Sequence, residues 1–468
     1  MNLRLERGLG AGVLVAAISS SFGVLLLAAT AYLGAALDSD PALAGSRTLD
    51  LLLAILSVVL LGLALYVAGV VAANTFSTIV AGRIRQIALL RLLGASAASQ
   101  RKAISRSGLG VGLVGAVLGT TAGVILAHVL RTVADDRIGR AVPVELLSPT
   151  LLLPGAAVTI TTWCSAWVGS RRVLNVTALQ AVSVSVEAGW EAAVRRPVRH
   201  TVALLLVVAG AALLALGLLV GLASPLGVLV AFAGGVLSFT GIAVGAVLVV
   251  PPVLRLVGRA FGGAVPARLA AENALRHPER SSRMAIGVVI GVTLVTTITV
   301  AMESMRKVLT ETFGGTMPAE ADTALTTVAT VMSALVAVSA VIAAVGLVNL
   351  LTLGVVQRRR ELGLLRTLGL STRQVRAMVL LEAAHVTVTA VLIGLVLGIF
   401  YGWAGAQATF GSAHEPGARS LGHLVTPAIP WWPVAVIAGA TAVLTLVAAV
   451  TPTRLATRVT PVAALADA

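Results

Sequence analysis

The chain has 468 residues, of which 58% are hydrophobic and 11% charged, and its mean hydropathy is +1.00. This composition excludes an ordinary soluble protein and is typical of an integral membrane protein. The net charge of +15 does not indicate nucleic-acid binding, because the basic residues lie in short segments beside apolar runs, where membrane topology alone requires them.

Ten apolar runs predict membrane spans, since a helix that crosses a bilayer needs roughly 20 apolar residues. They cover residues 10–35, 51–75, 108–130, 150–169, 201–222, 226–250, 284–302, 328–353, 383–405 and 431–450. The two runs on either side of Ser224 and Pro225 would also fit one broken hairpin. The sequence therefore predicts an all-α integral membrane protein with about ten transmembrane helices.

The distribution of charge predicts the topology of these spans. With a cytoplasmic N-terminus, 27 of the 34 Lys and Arg residues fall in inner segments and seven in outer ones. This asymmetry follows the positive-inside rule. We therefore expect both termini in the cytoplasm, and anionic lipid headgroups beside the basic inner loops. The single cysteine, Cys164, lies in the fourth span, so no disulfide can form within the chain.

A fourteen-residue segment occurs twice, each time between two apolar runs. The sequence RRRELGLLRTLGLS begins at Arg358, and a more divergent copy, RIRQIALLRLLGAS, begins 275 residues earlier at Arg83. A generic basic loop would satisfy topology without preserving register, so the shared positions indicate an internal duplication. The pairs are Arg83/Arg358, Arg85/Arg360, Leu89/Leu364, Leu90/Leu365, Arg91/Arg366, Leu93/Leu368, Gly94/Gly369 and Ser96/Ser371.

Each copy is predicted to form a helix that ends at a glycine. In the second copy, Leu365 and Leu368 fall on one apolar stripe at helical spacing. Gly369 would end this helix, and Ser371 would cap the next one. The first copy has the same pattern 275 residues earlier. We expect the apolar face to pack against the membrane domain or in the groove of a partner.

The apolar run after each copy contains glycines four residues apart. Glycines at this spacing form a flat stripe on a membrane helix, along which another backbone can approach closely. The sequence therefore predicts two helix-packing seams. The stripes are Gly115, Gly119 and Gly123 in the first half and Gly394, Gly398 and Gly402 in the second half.

The duplication predicts two permease-like modules of four spans each, over residues 1–180 and 265–468, with two central spans in a linker over 181–264. An even number of central spans preserves orientation, so the repeats have parallel topology. Within the second module, residues 270–283 carry Arg276, Arg280 and Arg283 among small apolar residues. This pattern suits either a short helix in the inner interface or a solvated loop.

No catalytic, cofactor or metal site is predicted in this chain. A Walker loop needs a lysine after glycine, whereas both lysines, Lys102 and Lys307, follow an arginine. Ionisable residues are nearly absent from the predicted spans, which disfavours an ion-driven carrier. Glu382 and His385, at the start of the ninth span, and Glu303, at the end of the seventh, are expected to be interfacial.

These features resemble the FtsX-like, MacB-type permeases of ABC transporters. The resemblance rests on Asn349, the segment that begins at Arg358, Glu382, residues 271–280 and residues 461–465. Two four-span modules with two spans between them are also similar to the ten-span arrangement of BceB-like permeases. A bacterial plasma-membrane location follows from this resemblance.

The resemblance implies that the segment between the second and third spans of each module is a coupling helix, which docks on a dimer of a separate cytoplasmic MacB-type ATPase. Coupling is thereby assigned to the residues that the two copies share, and to Glu361. ATP and Mg²⁺ would bind to the ATPase and not to this chain. The implied function is ATP-driven export or extraction of a hydrophobic or amphipathic substrate.

Two departures from the family pattern qualify this implication. Glu361 corresponds to Gln86 in the first copy, which predicts two unequal docking sites. The large outer domain that normally follows the first span of a module is also missing, since the segments 36–50 and 303–327 are short. An alternative function is mechanotransmission or sensing, as in FtsX itself, with an extracytoplasmic accessory protein as the controlled partner.

Overall fold

The computed structural model describes residues 9–38, 89–90, 92–138, 141–142, 144, 148–170, 197–260, 265–312, 315, 326, 364, 366–412, 424–436, 438–443 and 447, with scattered residues between 51 and 73. Every regular element in these ranges is helical. The principal helices are α1 (Leu9–Asp38), α2 (Ala97–Ile138), α3 (Leu153–Gly169), α4 (Pro197–Gly221), α5 (Gly227–Val244), α6 (Ala246–Ala260), α7 (Val265–Arg276), α8 (Pro278–Thr312) and α9 (Thr372–Phe410). A 3₁₀ turn, Pro149–Leu152, leads into α3.

Seven of the described helices are long and apolar enough to cross a membrane, which confirms the all-α membrane class. They are α1 to α5, α8 and α9. The pair around Ser224 and Pro225 consists of two such helices, α4 and α5. The predicted span at 328–353 lies outside the described residues, those at 51–75 and 431–450 lie only partly within them, and the count of ten stays a prediction.

Helices α2, α8 and α9 extend well beyond the apolar runs that predicted them. Helix α9 has 39 residues, so it is about 58 Å long at 1.5 Å per residue, roughly twice the thickness of the hydrocarbon core. Hydropathy marks only the part of a helix that lipid surrounds, whereas backbone hydrogen bonding continues into the aqueous phase. Glu303 accordingly lies within α8, which runs on to Thr312, and does not end it.

The chain forms two compact units. The first unit covers residues 1–185 and 330–338 and contains α1, α2 and α3, with α2 packed against both of the others. The second unit covers the remaining residues and contains α4 to α9. There α4 and α5 form a hairpin, and this hairpin also packs against α9. One polar contact joins α5 to α9, between the hydroxyl groups of Ser238 and Tyr401, 2.9 Å apart.

Each predicted glycine stripe lies against the first helix of its own half. A Cβ added to any glycine in either stripe would lie within 3.0 Å of an atom of the neighbouring helix. Helices α1 and α2 run parallel, and so do α8 and α9, as expected for the first and third spans of a module. The facing pairs are Gly115/Ala16, Gly119/Ser20 and Gly123/Val24 in the first half and Gly394/Val292, Gly398/Thr296 and Gly402/Val300 in the second half.

The two seams have a constant spacing along the chain. Each glycine of α2 faces the residue 99 positions before it, as Gly119 faces Ser20. Each glycine of α9 faces the residue 102 positions before it, as Gly398 faces Thr296. The two helix pairs therefore use the same seam, although the chain between the paired positions is three residues longer in the second half.

Candidate functional site

Two glycine turns with the same local geometry precede α2 and α9. We call residues 89–96 the first glycine turn and residues 364–371 the second. Gly94 and Gly369 have φ angles of 92° and 100°, in the left-handed region where an L-residue with a Cβ is strained. Both glycines therefore end the preceding short helix, as the sequence predicted.

Each turn shows a different one of the two hydrogen bonds that end a helix in a Schellman motif. Ala95 N–H donates to the Leu90 carbonyl at 3.0 Å in the first turn, and Gly369 N–H donates to the Arg366 carbonyl at 3.2 Å in the second. The next residue but one is a serine in each case, and its hydroxyl caps the following long helix.

The two serine caps differ in strength. In the second turn, Gln374 N–H donates to Ser371 Oγ at 3.2 Å, and Ser371 N–H donates to Gln374 Oε1 at 2.9 Å. This reciprocal pair is a complete capping box. In the first turn, Ser99 N–H donates to Ser96 Oγ at 3.1 Å. Ser99 occupies the position of Gln374, and its side chain is too short to return the second bond.

Leucine side chains project from both turns. Leu93 is 84% exposed and Leu368 is 73% exposed, each directly before its glycine. Leu89, Leu90 and Leu364 are also exposed. Apolar side chains on a fixed, well-capped turn favour contact with another protein. Arg366, also predicted for coupling, is half-buried. The other predicted coupling residues lie outside the described residues, namely Arg83, Arg85, Arg91, Arg358, Arg360, Glu361 and Leu365.

Helix α7 packs along the start of α9, directly behind the second glycine turn. The predicted interfacial segment 270–283 is thus helical, but it breaks at His277, so that Arg280 and Arg283 belong to α8. An apolar cluster joins α7 to α9. Its members are Ala270, Val375, Met378 and Val379, with Leu269, Leu370 and Leu381 packed against them.

A buried carboxylate continues this contact one turn further along α9. Glu382 is only 4% exposed. Its Oε2 accepts a hydrogen bond from Asn273 Nδ2 at 2.8 Å, and its Oε1 lies 3.8 Å from Arg280 Nη2. Helix α7 thus covers this part of α9 and shields Glu382 from solvent, while its expected place at the membrane interface stays a prediction. His385 is also fully buried, with Nδ1 2.5 Å from the Leu381 carbonyl oxygen.

A second ionic group joins α4 to α8 at the same end of the second unit. Arg199 Nη1 lies 3.6 Å from Glu279 Oε1, and Arg283 Nη2 lies 3.5 Å from Glu279 Oε2. Arg199 Nε also donates to the Val244 carbonyl at the end of α5, at 2.9 Å. The central hairpin is thus tied to the second half near the second glycine turn.

The opposite end of α9 binds the segment 424–430 through the backbone N–H and carbonyl groups of Val425. Val425 N–H donates to Gln407 Oε1 at 2.6 Å, and the Val425 carbonyl accepts from Trp403 Nε1 at 2.8 Å. Helix α8 contacts the same segment, since Lys307 Nζ lies 2.6 Å from Thr426 Oγ1. We call this arrangement the second clamp.

A similar clamp exists at the corresponding end of α2. Val142 N–H donates to Asp135 Oδ1 at 3.2 Å, and the Val142 carbonyl accepts from Arg131 Nη2 at 2.8 Å. Tyr32 of α1 donates to the same carboxylate at 2.8 Å. In both clamps the acceptor side chain follows the donor by four residues, but the side chains that bind Val142 are charged, whereas those that bind Val425 are neutral. Sequence analysis did not identify either clamp.

Comparison with known families bears on both halves of the chain. Residues 58–178 and 333–461 each match the family model described as FtsX-like permease C-terminal. The two matches together cover more than half of the chain, and their starts are 275 residues apart, the spacing of the two glycine turns. A search of curated proteins found no significant match.

Proposed function

This chain belongs to the FtsX-like permease family, and from that premise we propose that it couples ATP hydrolysis by a separate cytoplasmic ATPase to export or extraction of a hydrophobic or amphipathic substrate. Membership makes it a multi-pass membrane permease component of an ABC-type transporter, which acts in transport and not as a catalyst. Permeases of this family normally work with an ABC ATPase. The substrate, the MacB type of the ATPase and its dimeric state are parts of the proposal.

The paired glycine turns carry this proposal. Each presents an exposed leucine, Leu93 or Leu368, from a helix ending that is fixed by a left-handed glycine and a serine cap. Burial of one such leucine in a groove of another protein contributes roughly 1.5–3 kcal/mol. Two turns of the same geometry in one chain suit a partner that has two equivalent grooves, as an ATPase dimer would.

The long helices support the transmission of motion from these turns. Helix α9 continues without a break from the Ser371 cap to Phe410, and its glycine stripe fixes it against α8. A displacement of the second glycine turn would therefore move α8 and α9 together. The same reasoning applies to α1 and α2 behind the first turn.

The chemistry of the spans supports an apolar or amphipathic substrate. Helices α3 and α5 contain no Asp, Glu, Lys or Arg, and α4 contains only Arg199, near its start. Such spans offer few ligands for an ion or a strongly polar solute. A substrate that enters from the lipid phase needs no charged path.

The two clamps favour mechanotransmission as a second candidate function. In each clamp, two side chains of a long helix bind the backbone N–H and carbonyl groups of one residue in the segment that follows. That residue is Val142 after α2 and Val425 after α9. Motion of α2 or α9 would thus reach the outer surface directly. In that case the permease would move no substrate, and it would instead control the activity of an outer partner.

A binding experiment tests the proposed coupling. The full chain is co-expressed with the candidate ATPase and purified, and the retained ATPase is measured for Arg366→Glu with Leu368→Asp. We expect loss of most of the ATPase, and a further loss when Leu93→Asp is added. Leu368→Met is the matched control, because it keeps an apolar side chain of similar size. Full retention of the ATPase by the triple variant contradicts the assignment.

Transport and mechanotransmission are separated in proteoliposomes that contain only the permease and its ATPase. ATP-dependent movement of a fluorescent amphipathic probe across or out of the bilayer supports export or extraction. ATP hydrolysis that responds to the permease without movement of such probes supports mechanotransmission.

A further inference from the structure

The two glycine turns differ in what lies behind them. Behind the second turn, α7 covers one face of α9 for about two helical turns, along Val375, Met378, Val379 and Glu382. These residues recur at the spacing of one helix face. Leu370, which lies between the turn glycine and the capping serine, packs against the same cluster. The apolar cluster that α7 shares with α9 therefore extends to the second turn.

The carboxylate of Glu382 fixes the position of α7 on this face. It receives an amide hydrogen bond from α7, through Asn273, and lies beside a guanidinium of α8, through Arg280. Apolar packing alone would let α7 slide along α9. A buried carboxylate prevents this, because it keeps its hydrogen bonds only where the donor groups lie next to it. Loss of one partner from such a buried group is costly because the remaining charge stays desolvated. Asn273 and Glu382 thus specify one register of α7 against α9.

The sequence of the first half lacks this arrangement. The positions 275 residues before Val375, Met378, Val379 and Glu382 are Gln100, Ala103, Ile104 and Ser107. This face of α2 is partly or fully exposed at all four positions, in contrast to the buried face of α9. Ser107 can supply neither the charge nor the reach of a glutamate. Within the described residues the first turn has no counterpart of α7 behind it.

We propose that α7 supports the second glycine turn, with Asn273 and Glu382 as positioning residues. The second turn is therefore held in place more firmly than the first turn, and it is the firmer of the two contacts with the ATPase. The mechanical part of this proposal concerns the chain alone. Only the identity of the contacted partner rests on the proposed function.

Amide hydrogen exchange on the full chain in lipid nanodiscs tests the mechanical part. The variants are Glu382→Ala, which removes the carboxylate, and Asn273→Leu, which removes the amide donor. We expect exchange in residues 265–276 and 366–371 to become at least roughly tenfold faster, the factor that corresponds to one lost hydrogen bond to a charged group. Exchange in residues 89–96 is expected to stay unchanged.

Two further variants separate positioning from general damage. Ser107→Ala changes the corresponding residue of α2 and is expected to leave both turns unchanged. Glu382→Gln keeps an acceptor for Asn273 but removes the charge next to Arg280, so an intermediate increase is expected. Asn273 lies on α7, outside the candidate spans, so Asn273→Leu gives a result even where Glu382→Ala does not fold. Unchanged exchange at the second turn in Asn273→Leu overturns the proposal.

The ATPase provides the second readout. We expect Asn273→Leu and Glu382→Ala to retain several-fold less ATPase than Ser107→Ala. Equal retention, together with faster exchange at the second turn, overturns the claim that this turn is the firmer contact. If the unmodified chain binds no ATPase, the proposed function fails, while the exchange measurement still decides whether α7 positions the turn.

Discussion

Gly398 of α9 lies against Thr296 of α8 so closely that a Cβ on the glycine would be 2.5 Å from the Cβ of the threonine. The carbonyl oxygen of Thr293 would also be too near, at 2.8 Å. Since one of these atoms belongs to the backbone, rotation of a side chain cannot relieve the overlap. The seam therefore depends on glycine at this position.

We expect Gly398→Ala to lower the unfolding temperature of the purified chain, because overpacking a tight contact costs about 1–3 kcal/mol. Gly405→Ala is the matched control on the same helix, where no atom lies within 4 Å of an added Cβ. There the better helix propensity of alanine should leave the unfolding temperature equal or slightly higher. Thermal unfolding in detergent, followed by size-exclusion fluorescence, measures both. Equal midpoints for the two variants would show that the helices do not pack as closely as described.

Gly369→Ala should disturb the second glycine turn without affecting the spans. At a φ of 100° the added Cβ costs about 1–2 kcal/mol, so the short helix before the turn is expected to lose its fixed ending. Faster amide exchange at residues 366–371 and reduced retention of the ATPase are the expected results. Gly369→Asn should do less damage, because asparagine tolerates the left-handed region. Full ATPase retention by the alanine variant would argue against a role of the turn in docking.

How much of this site could be predicted depends on the distance along the chain between the interacting residues. The turn at Gly369 and the cap at Ser371 follow from residues that are neighbours in sequence, so local rules sufficed. Asn273 and Glu382 are 109 residues apart in the sequence. Taken alone, each is typical of a side chain at the membrane interface. The glycine stripes were recognisable from their spacing, but their partners on α1 and α8 were not, since helix faces rich in Ala, Val, Ser and Thr carry no comparable signal.

The clamps were missed for a related reason. Trp403 and Gln407 use their side chains to bind a backbone, and any residue at position 425 offers the same N–H and carbonyl groups. Nothing in the sequence of the segment 424–430 therefore identifies its partners. Hydropathy also placed the end of the ninth span at residue 405, so that Gln407 fell in a predicted loop although it lies within α9.

Gln407→Leu should release the segment 424–430 from α9. It removes the acceptor of the Val425 N–H and leaves that buried donor unpaired, which costs about 1–3 kcal/mol. Exchange of the Val425 amide is expected to rise by roughly tenfold or more. Thr409→Val is the control, because Thr409 bonds only to the Gly405 carbonyl of its own helix among the described contacts. Exchange at Val425 that does not change in Gln407→Leu would rule out the second clamp.

Salt should distinguish the two clamps. The first clamp depends on the ion pair of Arg131 and Asp135, whose Nε and Oδ2 atoms are 3.4 Å apart and whose side chains are partly exposed. Ionic strength of about 1 M shortens the screening length to roughly 3 Å, so exchange at Val142 should increase. The hydrogen bonds of Val425 with Trp403 and Gln407, which are neutral, should not respond. Asp135→Asn is expected to make exchange at Val142 insensitive to salt, and an equal response of both valines would contradict the assignment.

The constant spacings of 99 and 102 residues along the two seams have a consequence for how such chains can vary. Both halves align their first and third helices identically, although the chain between the paired positions differs by three residues. Register is thus imposed by the fit of glycines against the opposing backbone, and not by the length of the connection. Because lengthening a surface connection costs little free energy, a whole folded domain can be inserted or deleted after the first helix of either half while the membrane-embedded pair keeps its alignment.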